Sequence, residues 1–238
     1  MPSGIHVAAE KTAALIVEPI QGEGGFVTPP PEYFPRLREI CDKHGILLII
    51  DEVQTGMGRT GTLFAIDHWG VVPDLVITAK SLAGGLPLSA VTGRAEIMGT
   101  SHVGGLGSTY GGNPLALRAA MAVLEILTKD GLLERGGLLG ERMLARFKDM
   151  QNSHEIIGDV RGKGPMLALE LVRDRQSKVP ASDEAKKLVS LCYSKGLIVL
   201  ACGNFGNVIR TLMPLVITDE ELERGMTIID ESLHELRG

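Results

Sequence analysis

Short, continuously apolar runs alternate with stretches of helical periodicity through the first hundred residues. Ala13–Val17, Ile46–Ile50, Leu75–Thr78 and the shorter Ala90–Gly93 read as strands. Between the first two, Phe34, Leu37 and Ile40 or Cys41 recur at helical spacing over Pro31–His44, and Gly45 supplies a stop. Strands that are apolar throughout, rather than alternating, are those buried on both faces. The pattern therefore predicts an α/β unit with a mostly parallel sheet.

Beyond residue 110 the spacing changes. Asn113–Pro114 opens an alanine-rich helix to about Thr128, and a second helical segment runs from Leu132 to about Met150 despite Gly136, Gly137 and Gly140. Strands are expected at Ile156–Val160, Met166–Leu171 and Leu197–Leu200, and helices at Ser182–Ser194 and Thr218–Leu236. Thr218 and Glu221 form a capping box for the last helix, whose Leu222, Met226, Ile229 and Leu233 make a buried stripe. The expected organisation is a large domain over residues 1–130 and a small C-terminal α/β domain over 131–238.

Composition narrows the partners. With 238 residues, 44% of them hydrophobic, the chain can bury a sizeable core. A net charge of −5 with both signs interspersed offers no basic face to nucleic acid or anionic lipid, so neither is an expected partner. No apolar run reaches membrane-spanning length, and Met1–His6 has no basic segment leading into an apolar stretch, so no export signal is expected. Cys41, Cys192 and Cys202 are odd in number and lie outside any CxxC or Cys/His pattern, which argues against disulfides and zinc and for a cytoplasmic location. His44 and His68 flank predicted helix ends and have no partner at metal or triad spacing.

Candidate chemistry sits where two apolar runs stop. Lys80 follows Leu75–Ala79, and Asp51 follows Ile46–Ile50. About thirty residues between them suffice for strand, crossover and parallel strand, which brings both strand ends to the edge of the sheet where ligands bind. A lysine amine can form a Schiff base with an aldehyde, and a carboxylate can keep a pyridine nitrogen protonated. The pair thus points to pyridoxal phosphate, although either residue alone would read as a solvated loop residue. Glycine clusters at Gly22–Gly25, Gly56–Gly61, Gly84–Gly85, Gly104–Gly112 and Gly203–Gly206 suit a cofactor cleft or ordinary tight turns.

Five segments read together carry a family resemblance. They are Val17-Glu-Pro-Ile-Gln-Gly-Glu-Gly-Gly25, Asp51-Glu-Val-Gln-Thr-Gly-Met-Gly-Arg-Thr-Gly61, Thr78-Ala-Lys80, Gly84-Gly-Leu-Pro-Leu88 and Ser108-Thr-Tyr-Gly-Gly-Asn-Pro114. In this order they resemble the class III aminotransferases of fold type I, and Cys202-Gly-Asn-Phe-Gly-Asn-Val-Ile-Arg210 is similar to the 4-aminobutyrate branch. The resemblance runs from about residue 13 to the end.

It implies a pyridoxal 5'-phosphate-dependent transaminase that moves the amino group of 4-aminobutyrate, or a similar ω-amino acid, to 2-oxoglutarate. Lys80 would be the Schiff-base lysine and proton carrier, Asp51 the partner of the pyridine nitrogen, Val53 a ring-face contact and Gln54 a ligand of the phenolic oxygen. Thr109 would serve the cofactor phosphate of a neighbouring subunit, implying a homodimer; a helix-capping role is the other reading of Thr109. Arg210 would grip a substrate carboxylate with its planar fork. Glu23 would be its switch partner or a permanent salt bridge, and Glu18 a further position near the substrate. Glu52, Arg59 and Asp74 read as supports or solvent contacts.

Family chains are usually longer, and the stretch that precedes this one in them carries the second phosphate loop, the aromatic residue stacked on the ring and the arginine for the distal carboxylate. An uncovered sheet edge, exposed apolar surface and dependence on a complementing amino-terminal polypeptide are the corresponding expectations. A noncatalytic remnant or interaction module, and an ornithine- or acetylornithine-type enzyme, stand as alternatives.

Overall fold

The computed structural model describes residues 7–236. Its first sheet contains β1 (Ala14–Val17), β2 (Leu47–Asp51), β3 (Leu75–Thr78) and β4 (Ala90–Gly93), in that spatial order. β1, β2 and β3 are parallel, whereas β4 runs antiparallel to β3. The exception has a length cause: the β3–β4 connection holds only a short 3₁₀ turn at Lys80–Ala83, too little chain for the crossover that a parallel return needs.

Helix α1 (Tyr33–His44) supplies the β1–β2 crossover. It stops where Gly45 takes φ 67° and returns its N–H to the Cys41 carbonyl. Its Phe34 and Cys41 pack with Ile46, Leu48 and Ile50. β1 is an edge strand, and its Ile16 is 65% exposed.

After the single turn of α2 (Ala95–Met98), α3 (Pro114–Lys129) starts at Asn113, whose side chain accepts hydrogen bonds from the Leu115 and Ala116 N–H groups. α4 (Leu132–Ser153) follows Gly131 and leads into a second sheet. That sheet has β5 (Ile157–Lys163), β6 (Met166–Leu171), β7 (Leu200–Cys202) and β8 (Val208–Arg210), ordered β5-β6-β8-β7 and antiparallel throughout. α5 (Ser182–Ser194) lies between β6 and β7 in the chain, and α6 (Asp219–Glu235) follows β8.

Strand alternation splits this sheet between two cores. Leu167, Leu169, Leu171 and Ile209 join Met143, Phe147, Leu188 and Ile229 of the helices. Met166, Ala168 and Val208 point the other way and bury Ile20 and Phe26 from the loop after β1. The second face therefore fastens the small sheet to the loop that carries Glu23.

One expected strand shifts, and one strand had no counterpart among the expected ones. The strand expected at Leu197–Leu200 lies at Leu200–Cys202, because the Leu197 N–H bonds to the Cys192 carbonyl and is spent ending α5. β8 was hidden by its brevity and by the preceding glycine turn, where the Gly206 N–H bonds to the Gly203 carbonyl at 2.9 Å.

Candidate active site

Asp51 and Lys80 leave the sheet at one edge. Asp51 ends β2 in register with Ile77 of β3, and the next N–H, that of Glu52, donates to the Ile77 carbonyl at 2.9 Å. Lys80 follows two residues after the end of β3 and is exposed. It holds φ 45°, the left-handed region, which a residue with a Cβ occupies at a cost of about 1–2 kcal/mol. Such strain concentrates at functional sites because the surroundings must over-determine it.

Neighbouring carboxylates at the end of β2 have opposite fates. Oδ1 of Asp51 accepts the Val53 N–H at 2.9 Å and its side chain stays part-exposed. Glu52 is buried, accepts the Ile66 N–H at 2.9 Å and the Thr55 hydroxyl, and has its pKa raised by burial. Asp74 is likewise buried, accepting from the Leu48 N–H at 2.8 Å and from Arg38 and Arg94. Arg59 donates to the Met213 carbonyl at 2.7 Å. All three are tied into the fold by these bonds, and Glu52 and Asp74 are buried rather than in contact with solvent.

The loop after β1 brings a second group to the same place. Oε2 of Glu18 accepts the Gly22 N–H at 2.8 Å and so shapes the loop that carries Glu23. A Cβ on Gly22 would overlap Oε1 of Gln54, so the bare backbone lets Gln54 lie against the loop. That Oε1 is buried and finds no partner among the described residues. Phe26, fully buried with φ 53°, anchors the loop's far end.

Glu23 Oε1 accepts from Arg210 Nη1 at 2.6 Å. The two side chains differ in freedom: Arg210 is 9% exposed and Glu23 is 74% exposed. The Arg210 hydrogen bond and charge hold the Glu23 carboxyl below its ordinary value, with smaller help from a Gln54 hydrogen bond and the Lys80 ammonium. Lys80, Gln54, Glu23 and Arg210 thus share one electrostatic environment.

Arg161 had no signal in the sequence. From β5 its Nε donates to the Gly25 carbonyl at 2.9 Å, while Nη1 pairs with Asp159 and Glu170. With the Gly203 N–H donating to the Glu23 carbonyl at 2.9 Å, it pins the Glu23 loop to the small sheet. Only the fold brings these distant positions together.

No hydrogen bond or ion pair among the described residues joins Thr109 to this group. Thr109 sits in a run, residues 98–115, that is exposed throughout and includes Val103, Leu106, Tyr110 and Leu115. No hydrogen bond of its hydroxyl is formed among the described residues. Lys163, the other lysine in a glycine-rich setting, stands 5.7 Å over the Trp69 ring as a cation–π contact.

Asp51 ends β2 and Lys80 lies two residues beyond β3, its parallel neighbour. The chain belongs to the class-III aminotransferases, whose family pattern it matches over residues 3–233. It is 51% identical over 224 residues to a 5-aminovalerate aminotransferase of Pseudomonas aeruginosa, covering 94% of this chain and 53% of that protein. It is 47% identical over 230 residues to the 4-aminobutyrate aminotransferase of Escherichia coli, covering 97% and 54% respectively. A leucine/methionine racemase of Thermococcus litoralis is 50% identical over 228 residues, with 96% and 51% covered.

Among solved structures, a Bacillus anthracis aminotransferase superposes with a TM-score of 0.90 at 35% identity, over 96% of this chain and 53% of that one. An amine transaminase of an uncultivated Pseudomonas species, determined with pyridoxal phosphate bound, gives a TM-score of 0.88 at 36% identity, with 95% and 53% covered. The chain spans about half the length of the curated relatives it matches. Among the described residues, no helix is long and apolar enough to cross a membrane.

Proposed function

We propose that this chain carries the lysine-bearing part of a pyridoxal phosphate-dependent aminotransferase that takes an ω-amino acid, 4-aminobutyrate or 5-aminovalerate, as donor and 2-oxoglutarate as acceptor. The observation that carries the reading is the exit of Asp51 and Lys80 from adjacent parallel strands, in register at Asp51–Ile77. The residues fit the cofactor: an exposed amine and a part-exposed carboxylate follow adjoining strands, and beside them Gln54 has a buried amide oxygen that finds no partner among the described residues.

Pyridoxal phosphate, when bound, supplies an aldehyde for the amine and a protonated ring that withdraws electrons. Lys80 would supply the amine that holds the cofactor and would serve as the base that moves a proton on its Nζ. Asp51 would keep the pyridine nitrogen protonated, Val53 would flank the ring and Gln54 would reach the phenolic oxygen. Arg210 binds a substrate carboxylate in its fork when Glu23, the freer of the two side chains, swings aside. Glu18 fixes the loop from which Glu23 swings, bordering the substrate.

Thr109 belongs to the proposal as a phosphate ligand given to a second copy of the chain, in a cytoplasmic homodimer. Its exposed, apolar-rich surroundings support that placement. Residues 1–130 form the cofactor-binding part and 131–238 the small domain in this reading. Further cofactor contacts come from chain corresponding to the remainder of the relatives, whether covalently continuous or supplied as a complementing polypeptide.

The test is reductive trapping. Purified chain is mixed with pyridoxal phosphate, reduced with borohydride and digested, and the modified lysine is located by mass spectrometry. Labelling concentrated on Lys80 and lost in Lys80→Ala supports the reading; scattered labelling that persists in the variant overturns it for this chain. Where Lys80 is labelled, 4-aminobutyrate, 5-aminovalerate, ornithine and leucine are compared as donors with 2-oxoglutarate. Preference for leucine would overturn the ω-amino acid assignment, and preference for ornithine, itself an ω-amine donor, would overturn the choice of 4-aminobutyrate or 5-aminovalerate; both leave the cofactor assignment intact.

A further inference from the structure

The small domain holds a second cluster of ligating side chains, separate from the Lys80 site. His154 caps the C-terminal end of α4, and Asp230 and His234 stand one turn apart on α6. Their donor atoms all lie within 4.8 Å of one another, and no other such cluster of three occurs among the described residues. His154 Nε2 is 2.7 Å from Asp230 Oδ1, His234 Nε2 is 4.0 Å from the same oxygen, and the two imidazole rings are 4.4 Å apart.

Burial gives these residues a meaning beyond a surface ion pair. The His154 side chain is 0% exposed, yet its Nδ1 finds no partner among the described residues, so half of its hydrogen-bonding capacity is forfeited inside the protein. His234 is 62% exposed and Asp230 32% exposed, so the cluster opens to solvent on one side. That combination, a buried ring, a carboxylate and an exposed ring, gives an entry path and leaves a fourth position for water.

We propose that His154, Asp230 and His234 bind a divalent transition ion of the zinc type. Two imidazoles and a carboxylate are the nitrogen and oxygen donors that such ions take at about 2.0–2.2 Å, which places the ligand atoms about 3.3 Å apart in a tetrahedron. The observed separations of 2.7 and 4.0 Å bracket that edge, so modest side-chain adjustments suffice. An ion on His154 Nε2 replaces the hydrogen bond to Asp230, and the proton of the neutral ring then resides on Nδ1.

The nearby charges are arranged compatibly. Arg175 is held on the backbone side, donating to the carbonyls of Gln151, His154 and Glu155. Lys195, on the α6 side, is engaged by Glu231 and Glu235. An ion at the cluster joins the end of α4 to α6 and stabilises the folded small domain by mass action.

The experiment titrates the purified chain with zinc and with cobalt(II), using calorimetry, visible absorption and thermal unfolding. Expected are one ion per chain at this site, the intense visible band of four-coordinate cobalt, and a rise in Tm with zinc. His234→Ala, at an exposed position, should weaken zinc binding about 10-fold or more and remove both the band and the Tm rise. Asp230→Asn should act in the same direction. Zinc binding and Tm response unchanged in both variants, or the absence of any Tm response in the unaltered chain, would overturn the proposal. None of these readouts involves the Lys80 site, so failure here leaves the aminotransferase reading untouched.

Discussion

Glu23 and Arg210 meet at 2.6 Å although 187 positions separate them in the chain. The contact ties the loop after β1 to the last strand of the small sheet. Its linkage to pH follows from the depressed Glu23 pKa: the contribution is fully present above the ordinary value of 4.5 and is lost as pH falls below it, through the lowered folded value. Because Glu23 is exposed, the effect should stay below about 1 kcal/mol. Unfolding midpoints of the unaltered chain and Glu23→Gln should differ at neutral pH and converge in acid; a gap that is constant with pH would refute the pair's role.

Lys80 offers a test of backbone strain apart from chemistry. At φ 45°, alanine keeps the steric cost and glycine relieves it. Lys80→Gly should therefore be about 1 kcal/mol more stable than Lys80→Ala in urea unfolding. Equal stabilities would mean that the turn relaxes to accommodate a Cβ.

Asp51→Asn separates the two roles proposed at the strand ends. Lys80 remains available for reductive trapping, while the charge that holds the ring proton is gone. Labelling should persist, and the rate of amino-group uptake should fall about 10²- to 10³-fold in any assembly that turns over. An unchanged rate would remove Asp51 from the mechanism.

How far the sequence could be read depended on how local each signal was. Lys80 and Asp51 stood out because each ends a continuously apolar strand, and the strands are adjacent in sequence order and in space. The Thr218–Glu221 capping box was legible for the same reason and is fully formed. By contrast, the antiparallel direction of β4 follows from the short connection between Thr78 and Ala90, which the two apolar runs delimit but whose consequence for strand direction a run of apolar residues does not itself display. Arg161 was illegible, since its bond to the Gly25 carbonyl exists only once β5 lies beside the loop. The His154–Asp230–His234 cluster was hidden for that reason too: its spacing along the chain matches no local motif, and two of its members share a helix with an apolar stripe that reads as core.

Gly140 gives a prediction whose sign is opposite to intrinsic propensity. Three glycines inside α4 weaken the helix, and glycine in a helix interior costs about 1 kcal/mol relative to alanine. Their surroundings differ. A Cβ on Gly140 would overlap the backbone of Gly164, in the β5–β6 turn, whereas a Cβ on Gly137 meets nothing within 4 Å. Gly164 in turn lies against the backbone of Thr60 and Gly61, which belong to the turn after β2. The missing side chain at Gly140 thus allows α4, the small sheet and the Gly56–Gly61 segment to approach each other backbone to backbone. Gly137→Ala should raise stability by up to about 1 kcal/mol, and Gly140→Ala should lower it by about 1–3 kcal/mol through overpacking. Both are read from urea midpoints on the same chain. Stabilisation by Gly140→Ala would show that this close approach is not required, and that the helix glycines are only tolerated.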